Sequence, residues 1–155
     1  MRLKRTLGLV FWLWISLSAG LTGSRFPPGD WYATLAKPSW TPPSAVFPVA
    51  WTLLYVLMGL AAWRVWRVTD RQSGMAPLGL FVLQLFLNAA WSWLFFGRHE
   101  MGAAVFEIVL LWGVILATFM AFRRHDRLAA QLLVPYLAWV GFATALNFAL
   151  WKLNT

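Results

Sequence analysis

The sequence predicts an all-α membrane protein: a bundle of five transmembrane helices with a long proline- and tryptophan-rich first loop. Three observations lead there. Of 155 residues, 61% are hydrophobic and only 12% charged, a composition outside the range of ordinary soluble domains. The apolar residues fall into five runs, near 6–24, 46–66, 76–96, 102–122 and 130–150, each close to the roughly 20 residues a helix needs to cross hydrocarbon. None alternates polar and apolar residues as a barrel strand does, and an open strand in lipid would leave its backbone unpaired. No soluble domain remains, so residues 1–155 read as one transmembrane domain.

The first run follows a basic start of Arg2, Lys4 and Arg5. Its basic head, apolar middle and small-residue end also fit a secretory signal, yet its 19 residues suffice to span. Ser16, Gly20 and Ser24 recur along it every four residues, as do Gly113, Ala117 and Ala121 in the fourth run and Gly141, Ala145 and Ala149 in the fifth. Small residues at this spacing let helices approach closely where lipid gives no hydrophobic drive. Each set is expected to pack within the chain, with a dimer face as the alternative.

The loop 25–45 comes next. Six of the eight prolines, Pro27, Pro28, Pro38, Pro42, Pro43 and Pro48, lie between residues 25 and 48. Proline fixes its own φ and restrains its predecessor, so this connection is stiff and costs less to order over a ligand. A lid is expected, with an interfacial hairpin as the alternative. Asp30 is expected to cap a short helix ending near Leu35. Trp31, Tyr32 and Trp40 offer flat faces at the water boundary. Lys37 and Arg25 are placed to meet carboxylates of an amphipathic ligand.

Helical periodicity sets the inward faces of the remaining runs. It groups Trp51, Tyr55 and Met58 on the second, Gln84, Asn88, Trp91 and Phe95 on the third, and Tyr136, Trp139, Ala143 and Asn147 on the fifth. An amide facing lipid would lose its hydrogen bonds, so Asn88 and Asn147 are expected inside. Faces that mix aromatic rings with a few polar groups are the usual lining of a small-molecule site. At about 1.5 Å per residue, Trp51, Asn88, Trp91 and Asn147 lie within roughly 12 Å of the helix ends beneath the first loop. Structural packing by the same residues is the competing reading. Trp12, Trp14, Trp63, Trp66, Trp112 and Trp151 are expected to be interfacial anchors or packing. Glu107, about two turns into the fourth run, is expected to snorkel, to pair with a loop cation or to join the pocket.

The charges orient the bundle. The N-terminus, second loop (Arg64, Arg67, Arg71) and fourth loop (Arg123, Arg124, Arg127) hold nine of the 13 basic residues, and Arg25, Lys37, Arg98 and Lys152 are the others. Cytoplasmic segments retain Lys and Arg, so the N-terminus is expected inside, with the first loop and the C-terminus outside. The net charge of +8 sits at the ends of apolar runs, which points to lipid headgroups and not to nucleic acid. There is no cysteine, and His99 and His125 fall in short polar breaks, where solvation is expected in place of metal ligation. No nucleophile, metal triad or carboxylate pair appears, so no catalytic residue is assigned.

The stretch W-Y-x-x-L-x-K-P-S-W-T-P-P-x-x-V-F-P-x-x-W-T-x-L-Y at 31–55 resembles the signature of the TspO/MBR family. These are tryptophan-rich sensory proteins of bacteria and mitochondrial translocator proteins, once called peripheral benzodiazepine receptors. QLFLNAAWSWLFFG (84–97) and PYLAWVGFATALN (135–147) resemble its third- and fifth-helix motifs. The resemblance implies an uncleaved five-helix protein, commonly a homodimer, that binds protoporphyrin IX or haem, sterols and benzodiazepine-type ligands between the first loop and the helix tops. No cofactor is required. The matching positions are Trp31, Tyr32, Pro42 and Pro43 in the loop, and Trp51, Asn88, Trp91, Tyr136, Trp139, Ala143 and Asn147 in helices. Animal members carry a sterol pattern where this chain has Leu146, Phe148 and Lys152; phenylalanine lacks the usual tyrosine hydroxyl, which weakens that motif. The expected function is a tetrapyrrole-binding sensor or carrier. The alternatives are a light-dependent porphyrin-degrading enzyme working through Trp51 or Trp139, and a structural membrane partner whose pocket is incidental.

Overall fold

The structure, a computed structural model, describes residues 2–155; the Arg2 side chain, counted above in the basic head, lies outside what is described. Every regular element among these residues is helical: α1 (Arg2–Gly23), α2 (Gly29–Thr34), α3 (Val46–Val68), α4 (Arg71–Ser92), α5 (Met101–His125), α6 (Arg127–Leu132) and α7 (Val134–Leu153). A π-helical turn, Trp93–Gly97, continues α4. Five segments are long and apolar enough to cross a membrane, with α4 and its π turn forming one, and α6 and α7 together another. Large apolar side chains such as Phe86, Phe106 and Leu21 face outward, the inverse of a soluble domain and the arrangement lipid demands.

The helices at the end bearing the N-terminus run longer than the apolar runs predict. The reason lies in two aspartates. The Asp70 carboxylate accepts the Ser73 N–H at 2.7 Å while the Ser73 hydroxyl accepts the Asp70 N–H at 3.2 Å, a capping box that starts α4 at Arg71 instead of 76. Asp126 accepts the Ala129 N–H at 3.0 Å and starts α6 with itself as the single residue between α5 and α6. Such caps are worth about 1 kcal/mol each. The six arginines assigned above to the second and fourth loops therefore sit on helix ends. Leu133 separates α6 from α7, where Pro135 has no N–H to continue the helical ladder.

Asp30 does not cap α2. That helix starts at Gly29 after Pro28 with no side-chain cap, and Asp30 sits in its first turn, where a negative charge still suits the helix dipole. Gly29 takes the turn into α2 at φ 56, a conformation that favours glycine.

Close packing of α1 on α3 uses the small residues of both. The Ser16 hydroxyl donates to the Tyr55 carbonyl at 2.6 Å. A Cβ on Gly20 would lie 2.6 Å from the Tyr55 ring, and one on Gly59 would lie 2.9 Å from the Leu13 Cα. Ser16 and Gly20 thus pack inside as expected, whereas Ser24 lies exposed just past the end of α1, its hydroxyl donating to the Leu21 carbonyl at 2.7 Å. The α5 set does not: Gly113 has nothing within 4 Å and Ala117 is exposed. Ala104, Ile108, Leu111, Ile115 and Phe122 form the buried face of α5, and Gly113 lies opposite them on the helical wheel. In α7, Gly141 sits against Trp112, whose indole N–H donates to the Leu137 carbonyl at 3.1 Å.

Candidate functional site

Three helices bring their polar groups to one buried layer. The Tyr55 hydroxyl donates to Asn88 Oδ1 at 2.6 Å, Asn88 Nδ2 donates to the Tyr136 hydroxyl at 3.1 Å, and that hydroxyl donates to Gln84 Oε1 at 2.8 Å. Gln84 Nε2 then reaches Met58 Sδ at 3.7 Å. The chain of bonds joins α3, α4 and α7, and its members are buried. An unpaired amide in hydrocarbon is costly, so each partner holds the next in place.

One turn nearer the first loop, each of these helices presents a tryptophan. Trp51 stacks on Tyr55 with centroids 5.6 Å apart and meets Tyr136 and Trp139 edge-on at 6.3 and 6.5 Å. Phe47 meets Trp139 at 5.9 Å, Phe142 lies 5.7 Å from the same ring, and Trp40 from the loop meets Phe142 at 5.7 Å. Ala143 packs against this group. The Trp139 indole N–H is buried without an acceptor.

Trp91 belongs mainly to a second group. Its N–H donates to Asn147 Oδ1 at 2.9 Å, and Asn147 Nδ2 donates to the Met101 carbonyl at 3.2 Å. Its ring stacks on Phe95 at 5.2 Å. Trp31 and Tyr32 from α2 meet Phe95 edge-on at 5.7 and 6.3 Å. Burial raises the pKa of the Tyr32 hydroxyl above its ordinary value. The π turn aims Phe95 and Phe96 at the loop; such turns recur at functional sites. The set predicted as one pocket thus divides into two adjoining aromatic groups, and both Asn88 and Asn147 point inward as expected.

Besides these ring contacts, the loop is tied down at two further places. Asn154 at the end of α7 accepts the Ala36 N–H at 2.9 Å and donates to the Ala36 carbonyl at 3.0 Å. Trp31 stacks on His99 at 4.0 Å with planes 8° apart, so His99 is a ring partner although exposed. Lys37 turns back on the loop, 4.7 Å above the Tyr32 ring and 3.1 Å from the Leu35 carbonyl. Pro42 is half-buried and Pro43 exposed.

Other candidates do not converge. Leu146 is buried while Phe148 and Lys152, one turn apart on α7, are exposed, so the three residues of the sterol pattern do not share one surface. Both Glu107 carboxylate oxygens are buried without a hydrogen-bond partner; it neither snorkels nor enters one of the ion pairs among the described residues, Arg64–Asp126 and Arg98–Glu100. No group of three metal-ligating side chains occurs among the described residues. Two recesses, of about 420 and 690 Å³, open at the opposite end of the bundle. Neither lies beneath the first loop, where the rings of Phe47, Trp51, Trp139 and Phe142 contact one another.

Sequence reasoning missed Phe47, Phe96, Phe142, His99 and Asn154. Phe47 lies four residues before Trp51 and Phe142 three after Trp139, so helical spacing could have found both. His99 and Asn154 act across 68 and 118 residues of chain respectively, with no local signal.

The sequence model of the TspO/MBR family matches residues 9–152. The chain is 43% identical to the tryptophan-rich protein TspO of Chlorobaculum tepidum over 158 aligned positions, covering 97% of this chain and 98% of that one. It is 44% identical to the translocator protein of Homo sapiens, with 85% and 81% covered. Protein CrtK of Rhodobacter capsulatus is also 44% identical, with 88% and 86% covered.

Proposed function

This chain belongs to the TspO/MBR family of multi-pass membrane proteins, and from that premise we propose that it binds a tetrapyrrole such as protoporphyrin IX or haem at the loop end of the bundle. The observation that carries this reading is the meeting of Trp51, Tyr55, Tyr136 and Trp139 from two helices, within 6.5 Å of one another where their rings pair, beside an indole N–H with no acceptor. A flat π system can take up such ring contacts with its own faces, each pair worth about 0.5–1.5 kcal/mol, and so offset those it displaces. A ligand carboxylate would supply the acceptor that Trp139 lacks. A sterol offers no π face and no carboxylate, and Leu146 is turned away from Phe148 and Lys152.

Entry from the water side requires the loop to part from α7, since Trp40 of the loop lies against Phe142 of α7 over the rings below. The Ala36–Asn154 bonds, the Trp31–His99 stack and the contacts of Trp31, Tyr32 and Trp40 with Phe95 and Phe142 hold it. Beneath the rings, the buried Tyr55–Asn88–Tyr136–Gln84 layer acts as a floor. A molecule that passed through would have to break all of its bonds, so the arrangement favours a sensor that holds its ligand over a conduit that passes it. We place the loop end outside and the N-terminus inside on the charge asymmetry. A protease applied to intact cells would then reach a tag after Thr155 but not one before Met1.

Protoporphyrin IX should quench tryptophan fluorescence of the purified protein saturably, and Trp51→Ala and Trp139→Ala should each weaken the binding. Saturation at unchanged concentration in both variants would remove the site.

A further inference from the structure

We infer that the opposite end of the bundle carries a binding site for an anionic phospholipid, built from the two recesses that share Lys4 and Trp66. It is independent of the tetrapyrrole reading. The larger recess, of about 690 Å³, has four cations at its rim: Lys4 and Arg5 from α1, Arg67 from the last turn of α3 and Arg71 from the first of α4. Asp70 is its one acid, and that carboxylate is engaged by the Ser73 N–H and hydroxyl at 2.7 and 2.8 Å. These contacts hold the Asp70 carboxyl below its ordinary pKa, so it stays ionised yet turned to its own helix. Neither ion pair among the described residues includes a rim cation. Four cations against the single Asp70 carboxylate leave the rim with a net positive charge.

The smaller recess, of about 420 Å³, leads from that rim along the membrane-facing side of α1. Leu7 and Phe11 line it, with Trp66 as its wall. From Lys4 to Phe11 is roughly 10 Å along the helix, several methylenes of an acyl chain. Gly8 makes this trough possible: a Cβ there would stand 2.3 Å from the Trp66 ring. Arg67 is held above Trp63 at 4.4 Å, and the Trp63 N–H donates to the Arg5 carbonyl at 3.0 Å, so the rim is preorganised. A cationic rim continuous with an apolar trough that opens sideways to the bilayer matches a headgroup phosphate and its own chain. Basic pockets between transmembrane helices take anionic headgroups by the same physics.

The test is native mass spectrometry of the full chain in mild detergent, with phosphatidylglycerol and phosphatidylcholine of identical acyl chains. Wild type should retain phosphatidylglycerol about tenfold better. The variant Lys4→Gln/Arg5→Gln/Arg67→Gln/Arg71→Gln should lose that preference, and Arg123→Gln/Arg124→Gln/Arg127→Gln, which removes charge elsewhere at the same end, should keep it. Should the fourfold variant fold poorly, Lys4→Gln/Arg5→Gln on exposed side chains should still cut the preference by about threefold. Equal loss in the control, an unchanged preference in the double variant, or displacement of the lipid by millimolar inorganic phosphate would overturn the assignment.

Discussion

At the loop end, hydrogen bonds and rings from three helices close on each other, so that the polar groups of Tyr55, Asn88, Tyr136 and Gln84 are used up within the protein. At the basic end, the caps of Asp70 and Asp126 are satisfied, while the rim cations of α1, α3 and α4 face a recess. The contrast teaches where this bundle stores stability and where it leaves capacity for something else. The loop end is held by contacts that a guest must exchange. The basic end is already open to one.

If that difference is right, substitutions of similar size should have unequal effects at the two ends. The largest is expected from Gly20→Val, whose side chain would drive the Tyr55 ring from its place under Trp51 and from Asn88. Overpacking of this kind costs about 1–3 kcal/mol, read as a lowered Tm in detergent. Gly113→Val, with open space around it, should leave Tm unchanged. Asn88→Leu should follow, at about 1–2 kcal/mol for interhelical hydrogen bonds in a membrane. Asn154→Ala should lower Tm less but speed proteolysis within residues 25–45, because it frees Ala36. A small effect is also expected from the fourfold glutamine variant of the basic rim, within about 0.5 kcal/mol of wild type. A large loss there would mean that the rim is structural and would erase the contrast.

Much of this could be read before the structure. Five spans follow from composition, and the inward turn of Asn88 and Asn147 follows from helical spacing, because lipid punishes an exposed amide severely enough to override local preferences. The division of the aromatic residues into two groups did not follow. Periodicity places Trp91 on the face of Asn88, but its ring leans one turn onward to Phe95, and only the π turn and α2 decide that. The helix starts at Arg71 and Arg127 were legible in part: Asp70 with Ser73 three residues later is a capping pattern, hidden by arginines that counted as loop charge. Asn154 was invisible, since its partner Ala36 offers only a backbone and lies at the far end of the sequence.

The competition between the two ends gives the most direct measurement, because porphyrin propionates are anionic and the basic rim could attract them too. Protoporphyrin IX binding, followed by its own absorbance band, should be compared in wild type, Trp51→Ala/Trp139→Ala and the fourfold rim variant. The account predicts affinity reduced by about tenfold or more in the tryptophan variant and unchanged in the rim variant. Loss in the rim variant with retention in the tryptophan variant would contradict it.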